Sequence, residues 1–378
     1  MYLYEGAHVS SGEAYIPHTL PLQHDIESKR VLKKSLEANR ALAELKGIAR
    51  SIPNQAILIN ALALQEAKDS SEIENIVTTH DELYRSMVSN SNVSHAAKEV
   101  QRYREALYRG FDLINEHKLL LKRHIVEIQG VLEENNAGIR TQSGTALRNA
   151  QTGEMVYMPP QEHETIQKLM DNLERYINKS ELDDYDPLVK MAIIHYQFES
   201  IHPFYDGNGR TGRILNILYL ILNNLLDLPV LYLSSYIIQT KVDYYRLLTL
   251  VRTENSWEEW VLYILEGVKQ TAQESVMLIE SITQLIQQTK NELREQLPKL
   301  YSKDLLELLF KHPYTKIGFL VEELGVSRKT AGLHLRAIEE IGILESVKVG
   351  RDIYFVNKRL FELLQYPMKR DPLAMFSV

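Results

Sequence analysis

The strongest restriction on the fold of this 378-residue chain is the helical spacing of its apolar residues, which continues through most of the sequence. Apolar residues that recur three or four positions apart line one face of an α-helix. The sequence therefore predicts a mainly α-helical protein. The clearest runs are Leu32, Leu36, Leu42 and Leu45, then Leu58, Leu62 and Leu64, and then Ile125, Ile128 and Leu132.

The helical pattern fails between Gly138 and Pro160, where three glycines and a closing Pro-Pro pair indicate turns. We predict a β-hairpin flap inserted among the helices, because a turn and a short strand can follow each other before the prolines end the strand. The turn is expected at Thr152, Gly153 and Glu154, and the strand at Met155, Val156 and Tyr157.

A different unit is expected after Pro298, beyond a long polar-faced segment that reads as a connector helix. Its order of helix, helix, turn, helix and hairpin is that of a winged helix-turn-helix. The expected elements are helices over Leu305–Phe310, over Ile317–Leu324 and from a Ser327 cap to about Ile341, and strands over 343–349 and 352–356.

Composition excludes several classes of function. The chain has no cysteine, which rules out disulfides, thiolate nucleophiles and iron–sulfur clusters, so any metal is held by oxygen or imidazole. A net charge of -7 argues against a nucleic-acid surface along the whole chain. The most apolar stretch, Ile214 to Leu233, is interrupted by polar residues and reads as a core helix that ends before Pro229. With no secretory signal in view, a cytoplasmic protein without a membrane partner is expected.

The most informative segment is the sequence HPFYDGNGRTGR, residues 202–213, because its residue types fit around a polyphosphate. Gly207 and Gly209 leave the backbone open. Their N–H groups, with that of Asn208, can form an anion-binding nest where a helix begins near Arg210. The positive end of the helix dipole favours negative charge at the same place. A phosphate site is therefore expected there.

Charged side chains of the same segment suit a nucleotide substrate. Arg210 and Arg213 lie three positions apart on the first helical turn and can make bidentate contacts to phosphate oxygens. Asp206 offers a hard oxygen ligand for Mg²⁺, which commonly binds phosphates through only one or two protein carboxylates. His202 is then placed as a general base near the reacting phosphorus.

The segment resembles, at every defined position, the signature of the Fic family: His, Phe, an acidic residue, Gly-Asn-Gly-Arg and a second Arg three residues later. The resemblance implies a Fic helical core that transfers AMP from ATP to a Ser, Thr or Tyr hydroxyl of a target protein, or of the chain itself. It implies that His202 deprotonates the hydroxyl and that Asp206 holds Mg²⁺. It also implies that Gly207, Asn208 and Gly209 form the anion hole and that Arg210 and Arg213 bind the β- and γ-phosphates. UMP or phosphocholine transfer stays open, although two arginines favour ATP.

A second motif lies upstream, where Ser70 and Glu74 are four positions apart and Asn75 follows. Alone it would be a solvated acidic start of a helix. Beside the Fic signature it resembles the inhibitory motif of that family. The resemblance implies that Glu74 pairs with Arg213 and denies this arginine to the γ-phosphate, as a charge-assisted pair can. Whether Glu74 also serves AMP removal stays open.

The resemblance covers residues 35–265 and gives the hairpin a role, since Fic proteins carry a flap there that registers the target segment through strand-like contacts. Downstream, Tyr236 and Tyr244 are candidates for lining the adenine pocket, because an aromatic face can stack on a purine. Core packing is an equal alternative for both tyrosines.

In the C-terminal unit, Arg328, Lys329 and Arg336 of the expected recognition helix can face DNA. Charge supports this only weakly, because residues 298–360 carry 11 Lys and Arg against 8 Asp and Glu. DNA binding and protein contacts, including a homodimer, both stay open.

Two classes of function therefore remain. One is an autoinhibited protein adenylyltransferase, and the other is a DNA-binding regulator whose Fic core senses a nucleotide. The presence of His202 favours the enzyme, because a sensor needs no general base. The expected parts are an N-terminal helical region with the inhibitory motif (1–115), a catalytic domain (116–265), a connector helix (266–297) and a winged helix-turn-helix domain (298–378).

Overall fold

The protein is represented by a computed structural model that describes residues 14–23, 25–52, 54–88, 93–148, 155–349 and 352–365. It is mainly helical, which confirms the predicted fold class. No helix in these ranges is both long and apolar enough to cross a membrane. The helices are α1 (Lys29–Ala49), α2 (Gln55–Ile73), α3 (His80–Val88), α4 (His95–His117), α5 (Lys122–Glu133), α6 (His163–Asn178), α7 (Pro187–Ile201), α8 (Asn208–Leu222), α9 (Ser234–Gln239), α10 (Lys241–Glu254), α11 (Trp257–Gln296), α12 (Lys303–Lys311), α13 (Ile317–Leu324), α14 (Arg328–Glu340) and α15 (Lys358–Gln365), with a 3₁₀ turn at Ser180–Leu182.

Helices α7 and α8 lie at the centre of the core. Side chains on all sides of both helices are buried, as expected for helices without a solvent face. α7 begins at Pro187 after Asp186, whose carboxylate accepts the Leu188 N–H at 2.8 Å. The loop between the two helices, residues 202–207, is therefore held at both ends by rigid elements.

The predicted core helix from Ile214 toward Pro229 is shorter than expected. It belongs to α8, which ends at Leu222 because Asn223 closes the helix and Asn224 takes a left-handed backbone with φ of 56°. At its other end α8 begins two residues before Arg210.

Helix α1 buries only two of the four leucines that indicated it. Leu32 and Leu36 are 49% and 67% exposed, whereas Val31, Leu42 and Leu45 are buried. The buried face packs along α11, and the sequence pattern could not tell which of the two apolar stripes does so.

Helix α11 is a single helix of 40 residues that connects the core with the C-terminal unit. Its first half runs parallel to α1, where Lys34 pairs with Glu266 at 2.6 Å. Its last turns reach the C-terminal unit, where Glu292 pairs with Arg359 of α15 at 2.7 Å. The expected boundary at residue 265 falls inside this continuous helix.

The C-terminal unit has the predicted order of elements. α12, α13 and α14 precede strands β4 (Glu345–Val349) and β5 (Asp352–Val356), and the Ser327 Oγ accepts the Thr330 N–H at 3.1 Å as the cap of α14. The sequence analysis missed β3 (Tyr314–Thr315), which adds a third antiparallel strand in the order β3-β5-β4, and α15.

The predicted hairpin is an antiparallel pair of β1 (Leu147–Arg148) and β2 (Met155–Tyr157) with an irregular register. Its expected turn, Thr152, Gly153 and Glu154, lies outside the described residues. In β2, Met155 is exposed and Val156 is half-buried, whereas Tyr157 is buried and its hydroxyl donates to the Ser200 carbonyl. β2 therefore anchors the hairpin beside the end of α7.

Candidate active site

The structure places His202 at the C-terminal end of α7, one residue beyond the helix. Its N–H donates to the Phe198 carbonyl at 3.0 Å, and its backbone is left-handed with φ of 49°. A residue other than glycine or asparagine seldom takes this conformation, and such strained positions cluster at functional sites. The imidazole thus lies at the entrance to the loop.

Arg140 fixes the backbone of this loop and is the residue that the sequence analysis missed. Its Nε donates to the His202 carbonyl at 2.9 Å, and its own N–H donates to the Pro203 carbonyl at 2.9 Å. A third contact runs from Nη2 to the Pro160 carbonyl. The side chain is fully buried. A single arginine in a glycine-rich loop gave no signal of this role.

Inside the loop, Asn208 acts through its side chain. Its Oδ1 accepts the Phe204 N–H at 2.8 Å, and its Nδ2 donates to the Phe204 carbonyl at 2.9 Å. This clamp fixes the turn that leads into α8. Asp206 is exposed, and its Oδ1 accepts the Gly207 N–H at 2.7 Å. Gly207 itself has a φ of 76°, a conformation that favours glycine.

Glu74 contacts Arg213, as the family resemblance implied, and Ser70 contacts the same arginine. Arg213 donates from Nε to the Ser70 Oγ at 2.7 Å, and from Nη2 to the Ser70 carbonyl at 2.9 Å and to Glu74 Oε1 at 2.8 Å. The guanidinium is 2% exposed, but the Glu74 carboxylate is 36% exposed. The Glu74 carboxylate is therefore open to solvent on one side. The motif ends α2 instead of starting a helix, because the backbone of Asn75 is left-handed with φ of 65°. The Asn75 Oδ1 accepts a hydrogen bond from Lys241 Nζ.

Arg210 is held by two carboxylates that the sequence analysis did not identify. Its Nη1 pairs with Glu99 of α4, and its Nη2 pairs with Glu133 of α5 at 2.7 Å. The guanidinium is 5% exposed. The two acidic residues lie on helices far from the signature in sequence, where acidic residues are common, so their spacing carried no signal.

The two loop glycines are each covered by a carboxylate. A Cβ atom on Gly209 would collide with Oε1 of Glu74, and a Cβ atom on Gly207 would collide with Oε1 of Glu133. Only glycine allows these close approaches. The carboxylates thus lie against the part of the loop where the sequence predicts phosphate oxygens.

The electrostatics of the site fit a neutral base beside a tight ion pair. Burial, with a smaller contribution from Arg140, lowers the pKa of His202 to about 4. The imidazole is therefore neutral at pH 7. Burial opposes ionisation of Glu74, but the charge and hydrogen bonds of Arg213 outweigh it and lower the pKa of Glu74. Glu74 is accordingly ionised and holds Arg213.

The loop offers a Mg²⁺ ion a single carboxylate ligand of its own. Among the described residues, no group of three or more His, Asp or Glu side chains converges as a metal site. Asp206 is the carboxylate that the loop itself carries, and it is exposed. That donor set suits a Mg²⁺ ion that takes most of its ligands from phosphates and water.

The two adenine-pocket candidates have different surroundings. Tyr244 is 1% exposed, its hydroxyl is 2.8 Å from His195 Nε2, and its ring packs against Trp260. It belongs to the core and has no open face for a purine. Tyr236 is half-buried and packs against Tyr263, with ring centroids 5.1 Å apart. Its role in adenine binding stays a prediction.

The three residues assigned to DNA contacts all belong to α14. Arg328, Lys329 and Arg336 are exposed, whereas Ala331 and Leu335 of the same helix are buried. Their availability to a partner agrees with the sequence analysis, and DNA binding itself stays a prediction.

Comparison with known families gives three matches. Residues 32–112 match the model described as Fic/DOC family N-terminal, and residues 111–220 match the Fic/DOC family model. Residues 285–360 match the C-terminal domain of SoFic-like protein adenylyltransferases.

Curated relatives are similar over a shorter region. The protein adenylyltransferase Fic of Drosophila melanogaster is 29% identical over 145 residues, which are 37% of this chain and 27% of that protein. The Drosophila willistoni protein of the same name is 30% identical over 146 residues, with the same shares. The chain thus spans about a quarter of the length of these relatives.

Solved structures share the fold. A Fic family protein from Desulfovibrio desulfuricans G20 aligns over 87% of this chain and 96% of its own, with 19% identity and a TM-score of 0.56. Fic-1 from C. elegans aligns over 65% and 72%, with 20% identity and a TM-score of 0.51. Since the family models match residues 32–220 and 285–360 and the fold is that of Fic proteins, the chain belongs to the Fic/DOC family.

Proposed function

We propose that this chain is a protein adenylyltransferase that moves AMP from ATP to a Ser, Thr or Tyr hydroxyl of a target protein or of itself, and that Glu74 inhibits it from within. The observation that carries the proposal is the joint placement of a neutral His202, the loop of residues 202–207 and Arg213 held by Ser70 and Glu74. The names of the curated relatives and of the C-terminal family model agree with AMP transfer.

In the proposed reaction, His202 accepts the proton of the target hydroxyl as its oxygen attacks the α-phosphorus of ATP. The bond from the α-phosphorus to the bridging oxygen breaks, and pyrophosphate leaves. Arg210 and Arg213 are assigned to the phosphates that depart, and the backbone of Gly207 to Gly209 to the charge that develops at phosphorus. Asp206 would hold a Mg²⁺ ion, which would neutralise part of the charge of the phosphates.

The hairpin is assigned to the target. A short strand such as β2 can add backbone hydrogen bonds to an extended peptide, which would hold the acceptor hydroxyl in register with His202. Met155 and Val156 of β2 are accessible for such contacts, and Tyr157 ties the strand to the end of α7 through Ser200.

Inhibition follows from competition for one guanidinium. Arg213 donates two hydrogen bonds to Ser70 and one to Glu74, and Glu74 also lies against Gly209. A γ-phosphate needs the same donors. ATP that binds without them is held in an unproductive position, so removal of the Glu74 carboxylate should release the activity.

The test is incorporation of α-labelled ATP, read by intact mass, in purified wild type, Glu74→Gly and Glu74→Gly/His202→Ala. We expect at least about tenfold more label on the single variant than on wild type, the effect of losing one strong charged competitor. No label is expected on the double variant. Glu72→Gly is the matched control, because Glu72 pairs with Lys68 at 2.8 Å and not with the loop. Equal labelling of wild type and Glu74→Gly would refute the inhibitory role.

A separate experiment tests the alternative that the chain is a DNA-binding regulator. This alternative is motivated by Arg328, Lys329 and Arg336, which are exposed on α14. Retention of a specific fragment from a genomic DNA library, lost in Arg328→Ala, would support that alternative. If neither wild type nor Arg328→Ala retains a DNA fragment, the exposed residues of α14 are assigned to contacts with proteins.

A further inference from the structure

Arg210 is bound by two acidic residues whose surroundings differ. Glu99 is the fifth residue of α4, and its side chain is 10% exposed. Arg102 of the same helix lies 3.4 Å from its carboxylate. Its charge is therefore shared between two arginines. Glu133 is the last residue of α5 and pairs with Arg210 as its ion-pair partner at 2.7 Å.

Glu133 occupies an unfavourable place for a negative charge. It lies at the C-terminal end of α5, where the helix dipole disfavours an anion. Burial raises its pKa; Arg210 counteracts this, and the nearby charges of Asp206 and Glu99 raise it further. Its oxygen is also pressed against Gly207 of the signature loop. Attraction to Arg210 keeps the carboxylate there, and an incoming anion competes for the same attraction.

The arrangement repeats that of Glu74 on the other side of the loop. Glu74 follows the last residue of α2, pairs with Arg213 and covers Gly209. Glu133 ends α5, pairs with Arg210 and covers Gly207. The N-terminus of α8, which favours anions, is thus neutralised by one carboxylate from each of two helix ends.

We propose that Glu133 is a second internal competitor of the nucleotide, which occupies Arg210 until the polyphosphate of ATP displaces it, while Glu99 is the residue that positions Arg210. This rests on the proposed function only in that the loop binds a nucleoside triphosphate. It does not depend on AMP transfer. Opposite effects of the two carboxylates on ATP affinity follow from it.

The experiment measures binding of ATP and of AMP, each with Mg²⁺, by calorimetry. It uses Glu133→Gln, Glu133→Ala and Glu99→Gln in the His202→Ala background, which prevents turnover. Both Glu133 variants should tighten ATP binding by about fivefold, the gain expected from losing one charge-assisted pair. AMP binding should change less than about twofold, because AMP lacks the phosphates assigned to Arg210. Glu99→Gln should weaken ATP binding by about fivefold through a misplaced Arg210.

Glu127→Gln is the matched control, since it removes an exposed acidic residue of the same helix, one that pairs with Arg109 at 2.6 Å. Unchanged or weaker ATP binding in both Glu133 variants would overturn the proposal, as would an equal gain for AMP. The two proposals separate cleanly. Tighter ATP binding without any labelling of Glu74→Gly sinks AMP transfer alone, whereas labelling without tighter binding sinks the second competitor alone.

Discussion

At the residue scale, Arg140 governs the backbone that presents His202. Arg140→Met removes the donors to the His202 and Pro160 carbonyls and leaves two buried acceptors without partners. Each such loss costs about 1 to 3 kcal/mol, so we expect the free energy of unfolding to fall by about 3 kcal/mol. Labelling in the Glu74→Gly background should fall at least about tenfold, since the general base is no longer positioned.

Urea denaturation and label incorporation measure the two effects of Arg140→Met. Arg109→Met is the control, because Arg109 is exposed and pairs only with Glu127 among the described contacts. A variant that is destabilised but labels as fast as its parent at a temperature where it is folded would show that Arg140 serves stability alone.

The decline of kcat/KM at acid pH reports the environment of His202. Burial and Arg140 lower its pKa to about 4, and Glu74 acts in the opposite direction. Because the base must be neutral, kcat/KM of Glu74→Gly for ATP should stay level as pH falls from 7.5 to about 5.5 and should decline only toward the lowered pKa. A histidine with the ordinary value near 6.5 would leave about a tenth of the activity at pH 5.5.

Self-labelling rates between pH 5 and 8, with circular dichroism at each pH to confirm folding, give this profile. A midpoint near 6.5 would mean that the imidazole is solvated in the working enzyme. It would contradict the environment seen here.

The sequence predicted the part of the site whose residues are close together along the chain, because their spacing fixes their geometry. His202, Asp206 and the loop residues are neighbours in sequence, so a single motif carries them all. The Glu74 contact with Arg213, across 139 positions, was predicted through the family resemblance and is present in the structure. Glu99, Glu133 and Arg140 have ordinary local contexts, and only the packing of α4, α5 and the hairpin region brings them to the loop.

At the element scale, the helices were predictable and their buried faces were not. Apolar spacing marked α1 correctly, but tertiary packing on α11 buries the stripe with Val31 and leaves Leu32 in solvent. Polar caps decide where α8 stops, which the apolar run concealed. β3 has two residues, too few for an alternating pattern, and exists because Tyr314 pairs with Val356.

The continuity of α11 gives a prediction at this scale. Gln287 is exposed in its second half, between the core and the C-terminal unit. Gln287→Pro removes a helical hydrogen bond and clashes with the preceding turn, so the free energy of unfolding should fall by about 3 kcal/mol. Gln287→Ala should change it by less than about 0.5 kcal/mol. Urea denaturation followed by circular dichroism measures both, and equal stabilities would argue against an unbroken helix at this position.

At the scale of the whole molecule, Glu74 and the Arg213 that it contacts belong to one chain. Glu74 directly follows α2, which packs on α4, α9 and α12, so the segment with Ser70 and Glu74 is part of the core. Its effective concentration at Arg213 is therefore set by the fold. Dilution of the protein cannot relieve inhibition of this kind, and a second molecule cannot supply it to a chain that lacks Glu74.

A mixing experiment tests this prediction. His202→Ala keeps Glu74 but has no general base, and Glu74→Gly keeps the base but has no brake. In a mixture with a twentyfold excess of His202→Ala, each Glu74→Gly molecule should label itself as fast as it does alone, because the excess chains already hold their own Glu74 on their own Arg213. An affinity tag on the Glu74→Gly protein alone allows it to be isolated before its intact mass is read. Suppression that grows with the excess would mean that Glu74 reaches the site of a neighbouring chain, and the contact within one chain would then not be the one that inhibits.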